Sequence, residues 1–187
     1  MDFDLLVELD KHEPSCLEEK RNMELTKKFL LENNNCYRRT NLLGHVTAGG
    51  LIINDDGYVL LNHHKKTNMW FQFGGHSDGE TNSLDVARRE IYEESGLKDL
   101  ELVSDGICDV DVQNISFSIK NNEPAHIHYD VNFIFKTNEK TFVVSDESED
   151  IKWVTFDEAR ELISAHDIGT QRLIDKCEKL YLQLVHK

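Results

Sequence analysis

The chain has 187 residues, of which 39% are hydrophobic and 30% are charged. Two prolines and ten glycines exclude collagen-like and low-complexity chains, and the length suits either one buried core with an extension or two small domains. No apolar run approaches the roughly 18 residues that a transmembrane helix needs, and the acidic start lacks the basic region of a signal peptide. We therefore predict a cytoplasmic protein that does not associate with membranes.

The composition is strongly acidic. Thirty-five acidic and 21 basic residues give a formal net charge of -14. A field of this sign repels duplex nucleic acid and anionic membranes, so neither is expected as a partner. An anionic small molecule would need cations between it and the protein. The cysteines lack the spacing of a zinc site or a disulfide framework, which predicts buried or free thiols in a reducing compartment, at Cys16, Cys36, Cys108 and Cys177.

Residues 1–43 are predicted to form a helical extension ahead of the main domain, which occupies residues 44–187. Ser15 and Glu18 have the spacing of a capping box, and good helix formers follow them over residues 16–32. Three asparagines then end the helix. The side chains expected to anchor it to the core are those of Leu17, Leu25, Phe29 and Leu30.

The main domain alternates strand patterns with helix patterns. Turn residues separate short apolar runs, which is typical of β-hairpins. The predicted strands are 46–53, 58–62, 70–73, 100–118 with a break near Gly106, 125–136 and 150–154. The predicted helices are 83–95, 156–164 behind a Thr155–Glu158 capping box, and 170–185. This mixture predicts a layered α/β/α domain.

The helix predicted over residues 83–95 carries an unusual acidic edge. At about 100° per residue, Glu90, Glu93 and Glu94 fall within an arc of roughly 100°. These carboxylates repel one another and oppose the helix dipole, and such a breach of local rules tends to mark a functional site. Crowded carboxylates suit Mg²⁺, although a solvated acidic face is the alternative interpretation. An adjacent stripe should face the core, and it consists of Leu84, Ala87, Ile91 and Ser95.

The segment from Gly74 to Leu97 resembles the Nudix box, G-x5-E-x7-R-E-U-x-E-E-x-G-U, in which U is a bulky aliphatic residue. The matching positions are Gly75, Arg89, Glu90, Ile91, Glu93, Glu94, Gly96 and Leu97. One position departs, because the box expects Glu where this chain has Thr81, and Glu80 lies one residue earlier. The Gly-Gly-His-x-Asp-Gly form of the loop, together with a His-x-His-x-Asp strand, is similar to a bacterial subgroup of the family.

The resemblance implies a Nudix-type α/β/α sandwich with a mixed β-sheet, acting as a pyrophosphohydrolase that depends on Mg²⁺, with Mn²⁺ as a substitute. The substrate implied is a small-molecule diphosphate, either a nucleoside diphosphate linked to another moiety or a similar compound. Glu90, Glu93, Glu94 and the Gly74 carbonyl would hold the metal ions, and Arg89 would orient Glu90. Gly75 and Glu80 would support the loop. The general base is either a box glutamate or an acid before the last strand, among Glu147, Glu149 and Asp150.

The strand predicted over residues 125–136 has one polar face, formed by His126, His128, Asp130 and Asn132. Its first three members could be a two-histidine, one-carboxylate site for iron or zinc, a wall of the substrate cleft, or a solvent-facing surface. We favour the cleft wall, which makes His126, His128 and Asp130 substrate-binding residues together with His76. On this interpretation the protein carries no stoichiometric zinc or iron.

Three alternatives remain open, and one of them, a structural or interaction protein, would leave the three clustered carboxylates without a purpose. A Nudix-fold module could bind a nucleotide or sugar diphosphate without turnover, which the change at Thr81 favours and the intact Glu93-Glu94 pair opposes. A diphosphate isomerase would share the fold, but no segment matches the catalytic cysteine region of that family. Phosphate release and ligand binding, measured side by side, would separate an enzyme from a sensor. A homodimer also stays open.

Overall fold

The structure is a computed structural model, and it describes residues 3–104, 106–118 and 124–186. Within these residues one mixed sheet contains eight strands. The strands are β1 Gly44–Ile53, β2 Val59–His64, β3 Met69–Phe71, β4 Phe73–His76, β5 Glu101–Leu102, β6 Asp109–Ile115, β7 His126–Lys136 and β8 Ser148–Val154. Strand β1 is central, since it pairs in parallel with β7 and antiparallel with β2 and β4.

Helices cover both faces of the sheet, which confirms the predicted α/β/α class. They are α1 Leu5–Lys11, α2 Leu17–Glu32, α3 Ser83–Ser95, α4 Phe156–Leu162 and α5 Ile168–Val185. One apolar cluster joins the sheet to α1, α2 and α3, and a second joins it to α4 and α5. In the part of the chain that is described, none of these helices is long and apolar enough to cross a bilayer.

Strand β1 contributes side chains to both apolar clusters, because neighbouring side chains of a strand point to opposite faces of the sheet. Val46 and Ile52 pack towards α1–α3, and Leu51 and Ile53 pack towards α4–α5. The apolar face of β7 joins the first cluster as predicted, and its members are Ile127, Tyr129, Val131, Phe133 and Phe135. The opposite face of β7 is polar at its start and becomes apolar at Ile134.

The N-terminal helices differ from the prediction in two ways. Helix α1 was not predicted, and the cap of α2 is Cys16, whose sulfur accepts from the Glu19 backbone, rather than Ser15. Ser15 instead donates its N–H and hydroxyl to the Glu19 carboxylate. Of the four predicted anchors, Leu17 and Leu25 are exposed, whereas Phe29 is buried and Leu30 packs against the core as expected.

The extension packs on the main domain through apolar and polar contacts. Phe29 of α2 stacks on Tyr129 of β7, with ring centroids 4.1 Å apart. Glu19 is fully buried and accepts from His12 Nε2 at 2.7 Å and from Lys176 Nζ of α5 at 2.5 Å. Lys176 also donates to Asp109 at the start of β6. The extension therefore contributes to the same core as the sheet.

Several element boundaries also differ. The predicted strand over 70–73 is two strands, β3 and β4. The predicted strand over 100–118 with a break near Gly106 corresponds to β5 and β6, which lie on either side of Gly106; residue 105 and residues 119–123 lie outside the described residues. Helix α3 has the predicted bounds, and the Thr155–Glu158 capping box is confirmed. The four cysteines are free, and Cys36, Cys108 and Cys177 are buried.

Candidate active site

Helix α3 is fixed at both ends and along its inner face. The Asn82 side chain caps its start by accepting from the backbone of Leu84 and Asp85. Gly96 ends it with φ 75°, a left-handed conformation that glycine adopts without strain. The predicted inner stripe packs on the core, with Ala87, Ile91 and Ser95 buried. The acidic edge of the helix therefore faces a cleft.

The cleft has a volume of about 560 Å³ and is mostly lined by charged and polar groups. Its cations are Arg39, Lys66 and Arg89. Its carboxyl groups are more numerous and comprise Asp78, Glu90, Glu93, Glu94, Asp130, Glu147 and Asp167. An anionic substrate would meet a net negative wall here, so its binding needs additional positive charge.

Glu94 is the most perturbed of the box glutamates. Its Oε1 accepts from Asn62 Nδ2 at 2.9 Å, and its Oε2 accepts from the Gly74 N–H at 3.0 Å. Burial raises its pKa to about 8, with repulsion from Glu90 and Glu147 adding to the rise and the two hydrogen bonds opposing it. A cation beside Glu94 would remove this conflict, because it favours the ionised carboxylate.

Glu90 lies between Arg89 and residues 74–79, which we call the glycine loop. Arg89 Nη1 is 2.7 Å from Glu90 Oε1, and Arg89 Nη2 donates to the His76 carbonyl at 2.8 Å. A Cβ at Gly75 would come 2.3 Å from Glu90 Oε2, so a larger residue there would displace the carboxylate from its present position. Burial raises the pKa of Glu90, and Arg89 opposes that rise. The contacts are those expected of an arginine that orients Glu90.

The side chains and the backbone carbonyl of the box offer the oxygen ligands that a hard divalent cation prefers. Glu90, Glu93, Glu94 and the Gly74 carbonyl supply oxygen ligands of the kind that Mg²⁺ takes, and the missing Cβ of Gly75 keeps the approach open. Glu93 is exposed and lies 3.4 Å from Arg89 Nη1. The three carboxylates do not form a compact ligand set among the described residues. Binding of one cation by all three carboxylates therefore requires their side chains to move closer together.

Glu80 supports the loop at the entry to α3. Its Oε1 accepts from the backbone N–H of Thr81 at 2.8 Å and of Asn82 at 3.0 Å. The side chain is exposed and is absent from the residues that line the cleft. Thr81 is exposed as well. These contacts agree with the supporting role expected of Glu80 and leave the glutamate position of the box unoccupied by a carboxylate.

We expect Glu80→Ala to weaken metal binding and activity by about 10-fold or more, the usual cost of losing a group that holds a ligand loop. Glu80→Gln retains a carbonyl acceptor for the two backbone donors and should lose less. Thr81→Glu should give little gain, since the loop is already held. Steady-state kinetics across a metal titration checks all three variants. A silent Glu80→Ala combined with a large gain in Thr81→Glu would show that the natural site is incomplete.

Three of the four predicted substrate-binding residues line the cleft. His76, His128 and Asp130 line the cleft, whereas His126 is buried beside them and does not line it. Burial lowers the pKa of His76 to about 4 and that of His128 to about 3, with neighbouring cationic groups adding to the shift, so both rings are neutral at pH 7. Asp130 is bound by the Thr47 hydroxyl, and burial raises its pKa to about 7.

Of the three acids considered as general base, Glu147 alone lines the cleft. Glu149 and Asp150 are exposed outside it. The structure also adds polar residues that the sequence did not indicate. Asn62 holds Glu94, while Asn132 is joined to Gln72, which in turn accepts from Thr170 of α5. Asn132 belongs to the polar face predicted for this strand, but no local signal in the sequence distinguishes Asn62, Gln72 and Thr170 from ordinary polar residues of strands and helix ends.

The loop that follows β4 is held by the segment that precedes β1. Arg39 forms a paired contact with both carboxylate oxygens of Asp78 at 2.7 Å. The Gly79 N–H donates to the Tyr37 carbonyl at 2.7 Å. Asp78 has φ 51° and Gly79 has φ 97°, so the loop makes a tight left-handed turn at this point. The extension therefore contributes directly to the shape of the cleft.

Solved structures with the same fold place these observations among known proteins. A dihydroneopterin triphosphate pyrophosphohydrolase from E. coli is 18% identical, with a TM-score of 0.59, over 70% of this chain and 92% of that chain. A MutT NUDIX hydrolase from Burkholderia pseudomallei is 20% identical, with a TM-score of 0.52, over 71% of this chain and 97% of that chain. At such identities the likeness shows the fold. None of the curated proteins compared with the chain matches it.

The family of the chain follows from a match to a family model, since structural likeness alone shows only the fold. The model described as the NUDIX domain matches residues 43–177, which include β1, the glycine loop, α3 and most of α5. The match covers well over half of the chain and contains every residue of the acidic edge. The chain therefore belongs to the NUDIX domain family of phosphoanhydride hydrolases.

Proposed function

We propose that this protein is a Mg²⁺-dependent pyrophosphohydrolase that cleaves a nucleoside diphosphate linked to another moiety, or a similar small diphosphate. The observation that carries the proposal is the pair Glu90 and Glu94, half-buried at the cleft with raised pKa values. Two carboxyl groups whose charges repel each other in an acidic cleft are costly to ionise together unless a cation lies beside them. The E. coli pyrophosphohydrolase with this fold acts, by its name, on a triphosphate.

The residues of the cleft have distinct tasks in this reaction. A bound divalent cation would neutralise substrate charge and lower the pKa of the attacking water. Glu90, Glu93, Glu94 and the Gly74 carbonyl would hold that cation. Arg89 fixes Glu90 through an ion pair and fixes the end of β4 through the His76 carbonyl. These two contacts of Arg89 hold the acidic edge of α3 close to the glycine loop.

Other groups of the cleft are placed to bind substrate or to accept a proton. The neutral rings of His76 and His128 can each donate one N–H to a phosphate oxygen, and as uncharged groups they do not repel the cation. Lys66 and Arg39 supply positive charge on the cleft wall. Glu147 lines the cleft and is the acid we propose as general base in water attack.

The free cysteines are compatible with a reducing compartment, and we propose a cytoplasmic location on that basis. The proposed partner is a small-molecule diphosphate, with no duplex nucleic acid and no membrane, because the net charge of -14 opposes both. Neither point affects the chemistry of the cleft.

Mg²⁺ or Mn²⁺ should permit turnover and also raise thermal stability, because a cation that binds only the folded chain stabilises it and allows Glu90 and Glu94 to be ionised together. Phosphate release across a panel of nucleoside and sugar diphosphates, with and without excess EDTA, measures the first effect. Thermal unfolding in the same buffers measures the second. Full activity in EDTA would contradict the mechanism. Tight binding of a diphosphate without release of phosphate would favour the sensor instead.

A further inference from the structure

Four histidines from three strands meet beside the cleft. They are His45 of β1, His76 at the end of β4, and His126 and His128 at the start of β7. One ring nitrogen of each lies within 4.8 Å of the others. Among the residues that the structure describes, no other group of histidine, cysteine and carboxylate side chains brings its ligand atoms together in this way. We call these four residues the histidine cluster.

The register of the sheet brings the histidine cluster together. His45 lies opposite His128 in the parallel ladder of β1 and β7, and His76 lies opposite Thr47 in the antiparallel ladder of β1 and β4. Residues two apart share a face of a strand, and residues opposite each other on neighbouring strands share a face of the sheet. All four rings therefore point to the same side. Five of the ring pairs have centroids 4.8 Å or 4.9 Å apart.

The hydrogen bonds of His126 show how its two nitrogens are used. Nδ1 is 2.8 Å from the Pro124 carbonyl, which can only accept, so the proton of a neutral ring is on Nδ1. Nε2 then presents its lone pair towards Nε2 of His128, 2.9 Å away. A histidine that donates one N–H to a backbone carbonyl and presents the other nitrogen to neighbouring imidazoles has the usual arrangement of a metal ligand.

We propose that His45, His76, His126 and His128 bind one divalent transition-metal ion, with Zn²⁺ as the ion that suits them best. Zinc takes imidazole nitrogens at about 2.0–2.1 Å in tetrahedral geometry, which sets the nitrogens roughly 3.3–3.4 Å apart. The observed 2.9 Å contact and the 4.8 Å limit bracket that spacing. The ion would also give a partner to His76 Nε2, which is buried and has no hydrogen-bond partner among the described residues.

This ligand set differs from the one considered from the sequence of β7 alone. Asp130 is bound by Thr47 and is not part of the cluster, while His45 and His76 are. The expectation of no stoichiometric zinc or iron is therefore replaced by its opposite. The site goes beyond the proposed hydrolysis, because imidazole favours transition metals whereas the oxygen ligands of the box favour Mg²⁺.

A site closed by four protein ligands is structural rather than catalytic. The ion would join β1, β4 and β7 at one point and would fix His76, whose carbonyl accepts from Arg89. The expected consequence is a lower Tm on removal of the metal. For a chain of this length, binding at a concentration 100-fold above Kd corresponds to a shift of roughly 5–10 °C.

The test uses the full-length chain without a polyhistidine tag. Elemental analysis of the purified protein should find about one zinc per chain, and Co²⁺ substitution should give the intense visible bands of a tetrahedral site. His45→Gln and His126→Gln should each weaken zinc binding at least ~100-fold, since losing a direct ligand costs no less than losing a supporting residue. His166→Gln, on an exposed loop, is the matched control and should bind zinc as the parent chain does.

Two results would overturn the proposal. The first is a competition titration with a chromophoric chelator in which the parent chain takes up no zinc. The second is zinc binding that persists in both histidine variants and is lost in Glu93→Gln/Glu94→Gln, which would place the ion at the Nudix box. The cobalt spectrum of the parent chain does not depend on the folding of any variant. Zinc stoichiometry can also be measured whether or not the protein turns over a diphosphate, so failure of the proposed hydrolysis would be a separate result.

Discussion

Glu94→Gln should lower kcat at least ~100-fold while leaving the fold intact, the size of effect expected when a group that stabilises transition-state charge is lost. The substitution preserves the volume of the side chain but removes its charge. It also leaves a single acceptor for the two donors that Glu94 now satisfies, the Gly74 N–H and the Asn62 amide. Activity across a Mg²⁺ titration, with circular dichroism and thermal unfolding alongside, measures both parts.

Glu149→Gln is the matched control for this experiment. It makes the same chemical change at an exposed residue that does not line the cleft, so kcat should stay within about twofold of the parent value. An unimpaired Glu94→Gln enzyme would refute the role of the acidic edge. Equal losses in both variants would point to a general effect of charge instead.

Glu19→Gln should lower the free energy of unfolding by about 3–5 kcal/mol, because it breaks a fully buried ionic network. One oxygen of Glu19 accepts from His12 and Lys176, and the other accepts from the N–H and hydroxyl of Ser15. Glutamine offers one acceptor in place of two and faces the remaining donors with its own N–H groups. Denaturant unfolding measures the loss, and Glu24→Gln, exposed on the same helix, should change little.

The same variant should change how stability depends on pH. Burial alone would raise the pKa of Glu19, but hydrogen bonds from His12, Lys176 and Ser15 outweigh it and hold the pKa well below its usual range. A carboxyl whose pKa is lowered on folding stabilises the protein above its unfolded pKa of about 4.5, and this contribution falls as the pH falls below that value. Glu19→Gln should therefore lose stability less steeply below about pH 4.5 than the parent chain. An identical slope would contradict the assignment.

Helix α3 was predictable to the residue because local signals coincide there. Asn82 caps its start, Gly96 ends it, and an apolar stripe with a period of 3.6 residues fixes the buried side. Once that side is fixed, the direction of Glu90, Glu93 and Glu94 follows. Information of this kind lies within one turn of helix of each residue, so the sequence contains it directly.

The histidine cluster and the buried network were not predictable for the opposite reason. His45 and His128 meet through a parallel pairing of β1 and β7, and nothing near either residue specifies that register. Glu19 has the appearance of a surface acid on a helix, and its burial depends on Lys176, which is 157 positions away in sequence. Sites built from one segment can be inferred locally, whereas sites built across strands require the fold.

The contacts of Arg39 and Tyr37 with the glycine loop affect where the working unit of this protein begins. The family model matches from residue 43, but two contacts cross that boundary. Arg39 binds the Asp78 carboxylate, and the Tyr37 carbonyl accepts from the Gly79 N–H. A chain shortened to the matched region would lose these two contacts. It would also expose Tyr129, because Phe29, which stacks on the ring of Tyr129, would be absent. An experiment that exchanges this domain for another member of the family would therefore have to exchange residues 3–43 together with the matched region. The unit that can be exchanged between proteins is defined here by contacts to the glycine loop, and it is larger than the segment that the family model recognises.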